Sequence, residues 1–390
     1  MLILTVAFAN PELEYEVLPV DYVQVCVSEN ILFGVNANTG LILNSTDYGQ
    51  TWQEITQPNW EIGEGLSALY ISQNGTLFCG GQKIDSNGTL FRSSDFGESW
   101  HRVLTLHNNS WLGDWGQHFS ECNGHILVCE YGLVTAQENR GVYHSEDSGQ
   151  TWEEVYTTIF GWNELYGLSS HLHFAYIDPY DYNWYISEGD YEGACVIKKS
   201  IDEGQNWVTI DEHTATACIA DKFHVHFGID EAPYGFVVHN KYNDTMTDLL
   251  RLDDFHSPFY PTWDFMKYKD YIIASATCEN TIQGTFYRGY GENLENWELI
   301  EAWDKAIKDR SDRGTLSKID DEGYIYVNSW HDNLWRIKAD SLMLEEGLPE
   351  QPLLWYQDLF VFGVIIIAIG GALLLIHKAN KRAYAQRDMN

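Results

Sequence analysis

Residues 45–52 read STDYGQTW, and the chain repeats the phrase as SSDFGESW at 93–100, SEDSGQTW at 145–152 and SIDEGQNW at 200–207. Four residue types keep their offsets throughout: Ser45, Asp47, Gly49, Trp52; Ser93, Asp95, Gly97, Trp100; Ser145, Asp147, Gly149, Trp152; Ser200, Asp202, Gly204, Trp207. Asp and Ser side chains accept hydrogen bonds from backbone N–H groups just ahead of them, and Gly takes a positive φ at no steric cost. Each phrase therefore predicts a tight hairpin bent at its Gly. The Trp opens the returning strand and offers apolar surface to a neighbouring unit.

From Trp52 the repeat advances to Trp100, Trp152 and Trp207 in steps of 48, 52 and 55 residues. A period of that size, with short strands and turn signals inside it, points to the blades of a β-propeller. The second unit reads SALYIS, QNG, TLFCGG, TLFRSSD, FGE, SWHRVL, which is four short strands separated by turns. Similar quartets run through 20–57, 118–156 and 171–210. Beyond Trp207 the phrase decays while the rhythm continues: NWELI around Trp297 resembles the outer strands TWQEI and TWEEV, and TLSKIDDEGYIYVNSWHDNLWRIKAD supplies three last strands. The expected fold is all-β, a seven-bladed β-propeller over residues 10–345. LEYEVL at 13–18 is expected to complete the seventh blade and remove its exposed edge. Six blades is the competing count.

The repeat resembles the Asp-box (BNR) family of β-propellers, a sialidase-like superfamily with xyloglucan-cleaving glycosidases, sortilin-type receptors and photosystem II assembly factors among its members. The four phrases between 45 and 207 carry the resemblance. It implies that the Asp turns are structural and lie at the blade rim, so fold follows from them and function does not. Sialidases of this family also imply an Arg-Ile-Pro motif and three arginines gripping a carboxylate. No Arg-Ile-Pro occurs here. Arg92, Arg251, Arg288 and Arg336 fall on expected third strands near the rim, and only Arg140, Arg310 and Arg313 fall in loops.

Charge and hydropathy bear on compartment and partner. With 57 Asp and Glu against 23 Lys and Arg, the net charge is −34. Such a surface repels nucleic acid and polyanions unless locally offset, and suits cations, neutral glycans or a saline exterior. The run LFVFGVIIIAIGGALLLI at 359–376 is long enough to span a bilayer as one transmembrane helix, with Trp355 and Tyr356 at the expected interface. Lys378, Lys381, Arg382 and Arg387 follow it. The positive-inside rule then puts the tail, 377–390, in the cytoplasm and the propeller outside a cell membrane, joined by a linker at 346–358. MLILTVAFAN reads as the remnant of a signal peptide over 1–9, with Ala7-Phe8-Ala9 as its cleavage site.

Seven cysteines, at 26, 79, 122, 129, 195, 218 and 278, show no Cys-x-x-Cys spacing. Cys122 and Cys129 flank one short turn and form a candidate disulfide, while buried free thiols in strands are the favoured state of the cysteines. Sequons at Asn44, Asn74, Asn87, Asn108 and Asn243 permit glycosylation.

The histidines are the candidate site. His171 and His173 alternate along SHLHFAY, and His224 and His226 along FHVHFG, read as the equivalent strand one blade later. His118, in GQHFS, holds a comparable place. Alternate strand residues share a face, so five imidazoles on first strands are expected around one site at the mouth of the central channel. A divalent metal is the cofactor such a cluster suits; the plainer account is a set of core histidines bonded to backbone. Trp111, Trp115, Trp162, Tyr166, Tyr180, Tyr182, Trp184, Tyr260 and Trp263 are read as loop aromatics able to stack on sugars. The expected function is a binding or assembly module for a glycan or protein ligand. The alternative is a carbohydrate-active enzyme, a polysaccharide lyase or glycoside hydrolase, although 57 acidic residues single out no carboxylate pair.

Overall fold

The computed structural model describes residues 14–21, 23–28, 30–36, 39–61, 65–82, 85–113, 117–132, 139–158, 162–163, 168–169, 171–189, 195–230, 235–251, 262–278, 283–290, 296–300, 315–328 and 333–343. The chain divides into two units, 1–345 and 346–390, and the described residues all belong to the first. The expected signal remnant, linker, span and tail lie outside them. Among the described residues no helix is long and apolar enough to cross a membrane.

The first Asp turn shows how the sequence dictates local structure. Ser45 Oγ accepts from Gly49 N at 2.8 Å and donates to Asp47 Oδ1 at 2.8 Å, while Asp47 Oδ1 accepts from Thr51 N at 2.8 Å and Oδ2 from Thr51 Oγ1 at 2.6 Å. Gly49 has φ +86°, and the residue before it, Tyr48, is also left-handed at +57°. Two successive positive φ values fit the primed turns that match strand twist, so the bend is shared by two residues rather than carried by the Gly alone. Phe96, Ser148 and Glu203 repeat the feature. The Gly has a second reason to be there. A Cβ on Gly49 would lie 2.6 Å from Leu18 Cδ1, and one on Gly204 would lie 2.9 Å from Val155 Cβ, both in the preceding sheet.

These turns join the third and fourth strands of four-stranded antiparallel sheets. Sheet I comprises Val23–Ser28, Ile31–Asn36, Leu41–Ser45 and Gln53–Glu54. Sheet II comprises Gly65–Ile71, Leu77–Gln82, Asn87–Ser93 and His101–Asn108. Sheet III is Phe119–Cys122, His125–Cys129, Gly141–Ser145 and Glu153–Thr157. Sheet IV is Leu172–Ile177, Trp184–Glu188, Val196–Ser200 and Val208–Asp211. Sheet V is Ala215–Ala220, His224–Ile229, Gly235–Asn240 and Thr245–Arg251. Sheet VI is Thr262–Tyr268, Tyr271–Cys278, Gln283–Tyr290 and Asn296–Ile300. Sheet VII takes Thr315–Leu316, Tyr324–Asn328 and Asn333–Lys338 from the end of the chain and Tyr15–Asp21 from its beginning, with Tyr15 opposite Ile337. Two short pairs, Ser110–Trp111 with Tyr131–Gly132 and Trp162–Asn163 with Leu168–Ser169, stand outside them.

The core lies between consecutive sheets. Phe33, Val35 and Ile42 of sheet I bury against Leu69, Ile71 and Phe91 of sheet II. Phe174 and Tyr185 of sheet IV meet Ala215 and Phe227 of sheet V. The order returns on itself, because Leu18, Tyr326 and Leu334 of sheet VII pack with Val25, Val27 and Leu32 of sheet I. Two of the repeat tryptophans bridge backward by hydrogen bonds, Trp100 Nε1 donating to Thr56 O at 2.8 Å and Trp207 Nε1 to Val155 O at 3.1 Å, whereas Trp52 and Trp152 donate to Gly49 O and Gly149 O of their own turns.

Two expectations change here. FHVHFG is not the first strand of its sheet: the buried run Ala215–Ala220 takes that place, its small residues filling the crowded inner position. Trp184 is a strand residue, 2% exposed, rather than a loop aromatic, and Trp111, Trp162 and Trp263 also lie in strands. The favoured state of the cysteines holds: Cys122 and Cys129 are free thiols rather than a disulfide, as are Cys26, Cys79, Cys195 and Cys218.

Candidate functional site

The first strand of each sheet is an edge strand, bonded on one side only. In sheets I, II, VI and VII these strands, with residues 117–119, enclose a cavity of about 200 Å³. Gln117 closes the opposite wall: its carbonyl accepts from Ala175 N at 3.1 Å and its Oε1 from Cys218 N at 3.1 Å, satisfying the inner edges of sheets IV and V.

Three polar groups set the chemistry of this channel. Lys318 Nζ lies 5.5 Å from the Tyr70 ring centre and 3.4 Å from Ile71 O. Tyr70 in turn stacks on Phe119 at 4.8 Å and donates to Glu121 Oε2 at 3.4 Å. Asp264 accepts from Phe265 N at 2.8 Å and from Leu316 N at 2.9 Å, tying sheet VI to sheet VII. Removal from water pushes its carboxyl up to about 7, against the lowering effect of those two bonds. Burial likewise pushes the Cys26 thiol up to about 12, only partly offset by Lys318, so it is a protonated wall residue and not a nucleophile.

The expected five-histidine site is not what the structure builds. His118, His171 and His173 do come together around Tyr131, whose ring centre lies 4.1 Å from that of His171, 6.0 Å from His118 and 6.3 Å from His173. His118 bonds Cys129 O through Nδ1 at 3.0 Å and lines the channel cavity. Burial lowers its pKa to about 4, so it is neutral at physiological pH. His173 Nε2 bonds Gly189 O at 2.8 Å, with Asp230 Oδ2 3.8 Å from its Nδ1.

His224 and His226 belong to the other end of their sheet. Hydrogen bonds align Thr214 with Gly189, beside His173, and Ala220 with Tyr176. The five steps from Thr214 to Ile219, which pairs with His226, then separate His173 from His226 by about 16 Å at about 3.3 Å per residue. The displacement follows from the strand shift, because second strands run opposite to first ones. His224 and His226 instead meet Asp221, which accepts from Phe223 N at 2.6 Å and His224 N at 2.8 Å and bonds His226 Nε2 at 3.1 Å. These three can offer ligand atoms to one metal ion. Lys241, however, donates to Asp221 O at 2.6 Å and pairs with Asp178, which places a cation beside the group.

Glu130 escaped the sequence reading. It is fully buried, and its carboxylate accepts from His107 N at 2.6 Å, Gly141 N at 2.7 Å and Tyr143 Oη at 3.1 Å, with His107 Nδ1 2.8 Å away. That bond raises the His107 pKa. The signal was present, a lone acid inside the apolar run HILVCEYG. Arg140, expected in a loop, is fully buried. Of the sequons, Asn74 and Asn87 spend their amides on Ser148 Oγ at 3.0 Å and Leu106 O at 2.7 Å, whereas Asn243 is exposed at a turn.

No family model matches the chain. A xyloglucanase of a Paenibacillus species is 27% identical over 174 residues, 37% of this chain and 16% of the enzyme. Xyloglucanase Xgh74A of Acetivibrio thermocellus is 28% identical over 147 residues, 30% of this chain and 16% of that enzyme. The chain thus matches about 16% of the length of these curated relatives. Among solved structures, YCF48 bound to D1 peptide aligns with TM-score 0.54 and 11% identity over 84% of this chain and 96% of that one. YCF48 from Cyanidioschyzon merolae aligns at 0.51 and 14%, over 84% and 99%. The GH74 enzyme of Niastella koreensis aligns at 0.56 and 14%, over 81% and 52%. Identities this low speak to fold alone, and together with the run of small antiparallel sheets they show that the chain is a β-propeller.

Proposed function

We propose that the chain is a membrane-anchored, extracytoplasmic Asp-box propeller of seven blades that binds an extended segment of a protein ligand in its central channel. The channel carries the reading. Each first strand is a sheet edge with a strand neighbour on one side only among the described residues, and extended peptides are recognised by main-chain bonds to such edges. Gln117 already uses the edges of two sheets in this way. A volume of about 200 Å³ falls below the roughly 300–1,000 Å³ of ordinary small-molecule pockets. It suits a chain entering end-on better than a row of sugar rings. Lys318 is the exposed cation of the described lining and favours an acidic segment.

The comparisons lend support unevenly. The alignment spans 96% of YCF48, whose structure holds a D1 peptide, but 52% of the GH74 enzyme. Seven sheets packed in order, the last completed by the N-terminal strand, support the blade count. The Ser-Asp-Gly bonding repeated in four turns supports the Asp-box assignment. The apolar run at 359–376 and the basic residues after it support the anchor and its orientation.

A second reading, a glycoside hydrolase, rests on the xyloglucanase match and on the Glu130–His107–Tyr143 group, which has acid–base character. Such enzymes need two carboxyls about 5–10 Å apart, and among the described residues lining the channel Asp264 is the one carboxyl. Fluorescence anisotropy with acidic, neutral and basic decapeptide pools, run beside a reducing-sugar assay on xyloglucan, separates the two. The binding module retains acidic peptides and releases no sugar.

A further inference from the structure

Outside the channel, the seam between sheets III and IV holds a separate group of ligating side chains. His125 opens the second strand of sheet III, and His144 lies in the third. The pairing of Ile126 with Ser145 and of Leu127 with His144 puts His125 across from Glu146, and strand alternation turns all three side chains to one face. His125 Nδ1 is 2.9 Å from His144 Nε2 and 4.0 Å from Glu146 Oε1. One ligand atom from each residue lies within 4.8 Å of the others. Trp184 of sheet IV braces both rings, 4.7 Å from His144 and 6.3 Å from His125 between centres.

We propose that His125, His144 and Glu146 bind a divalent transition-metal ion of the Zn²⁺ class at this seam. Two imidazole nitrogens and one carboxylate oxygen, with a fourth position open to water, are a donor set that Zn²⁺ takes. The nitrogens share a proton at their present spacing; spreading them to about 3.3 Å gives the tetrahedral edge for bonds of about 2.0–2.1 Å. Burial and the neighbouring His125 lower the His144 pKa, and against them Glu146, Glu203 and Glu153 bring negative charge to the group. Glu203 belongs to the fourth Asp turn, so acid reaches the group from sheet IV as well as sheet III. The path in is open: the Glu146 side chain is 67% exposed and that of His125 25%. The Asp221–His224–His226 group lacks this balance, since Lys241 stands beside it.

The test is a Co²⁺ titration of the metal-stripped full-length protein, followed by visible absorption and by displacement with Zn²⁺. One equivalent should give the intense bands of a tetrahedral site, and Zn²⁺ should abolish them. Glu146→Gln and His125→Asn, both at partly exposed positions, should each weaken binding at least about tenfold while the melting temperature of the metal-free protein stays near wild type. His226→Asn should leave the titration unchanged. Absence of tetrahedral bands, equal binding by Glu146→Gln and wild type, or loss of binding in His226→Asn instead would overturn the assignment.

Discussion

Replacing Asp147 by Ala removes the acceptor at the centre of the third Asp turn. Asp147 Oδ1 accepts from Gln150 N, Thr151 N and Ser145 Oγ, each at 2.9 Å, and Oδ2 accepts from Thr151 Oγ1 at 2.7 Å. Gln150 and Thr151 are exposed, so water replaces much of what the carboxylate supplied. A net cost of about 1–2 kcal/mol follows, near the value of one or two hydrogen bonds to a charged group discounted for solvent. The same bonds hold the Asp147 pKa down to about 2 in spite of partial desolvation. A depressed carboxylate stabilises the fold above its unfolded pKa, and the contribution disappears as pH falls through the folded value. The gap between wild type and Asp147→Ala should therefore be full at pH 7, shrink below about pH 4 and be mostly gone near pH 2. Urea melts of the detergent-solubilised chain at a series of pH values measure it. A gap that stays constant down to pH 2, or no gap at pH 7, refutes the argument that the charged acceptor holds the turn.

Three further outcomes are expected. Gly149→Ala, at φ +75° and with its new Cβ in clash with Phe78 Cε1, should cost about 2 kcal/mol or more, whereas Gly124→Ala, at φ +87° in open space, should cost only the left-handed strain of about 1 kcal/mol; equal costs in denaturant melts would show that inter-sheet contact is not what demands the glycine. Asp264, with its folded pKa raised toward 7, destabilises the fold as pH climbs from about 4 through 7, and Asp264→Asn should flatten that slope in thermal melts; an unchanged slope assigns it to another group. Protease added to intact cells should remove the propeller and spare the tail after His377, and digestion of the tail alone would reverse the proposed orientation.

What the sequence disclosed tracks how strongly local chemistry constrains the chain. The Ser-x-Asp-x-Gly-x-x-Trp turns were legible because Asp47 and Gly49 act within the turn, through backbone bonds and a positive φ, while Trp52, which packs against sheets I and VII, keeps a fixed offset from them. The N-terminal strand in sheet VII was legible from leftover arithmetic, a last unit short of one strand. The run TATACIA was missed as a strand because small residues without alternation give no period-2 signal, although all six residues of Ala215–Ala220 are buried. That omission carried His224 and His226 onto the wrong strand and the expected cluster with them. Glu130, His125 and His144 were not singled out because their partners lie across strands, 11 to 23 residues away in sequence. Such pairings depend on register, which the pattern of residues alone leaves open.

The claim that the channel binds an extended acidic segment without cleaving sugar is tested most directly at Lys318. Wild type and Lys318→Glu are titrated by anisotropy with a labelled acidic decapeptide pool and with xyloglucan oligosaccharides, while reducing ends are followed in the same samples. The binding account predicts saturable peptide binding by wild type, loss of most of that affinity in Lys318→Glu, and no new reducing ends in either. Release of reducing ends by wild type, or peptide binding that Lys318→Glu leaves untouched, would contradict it.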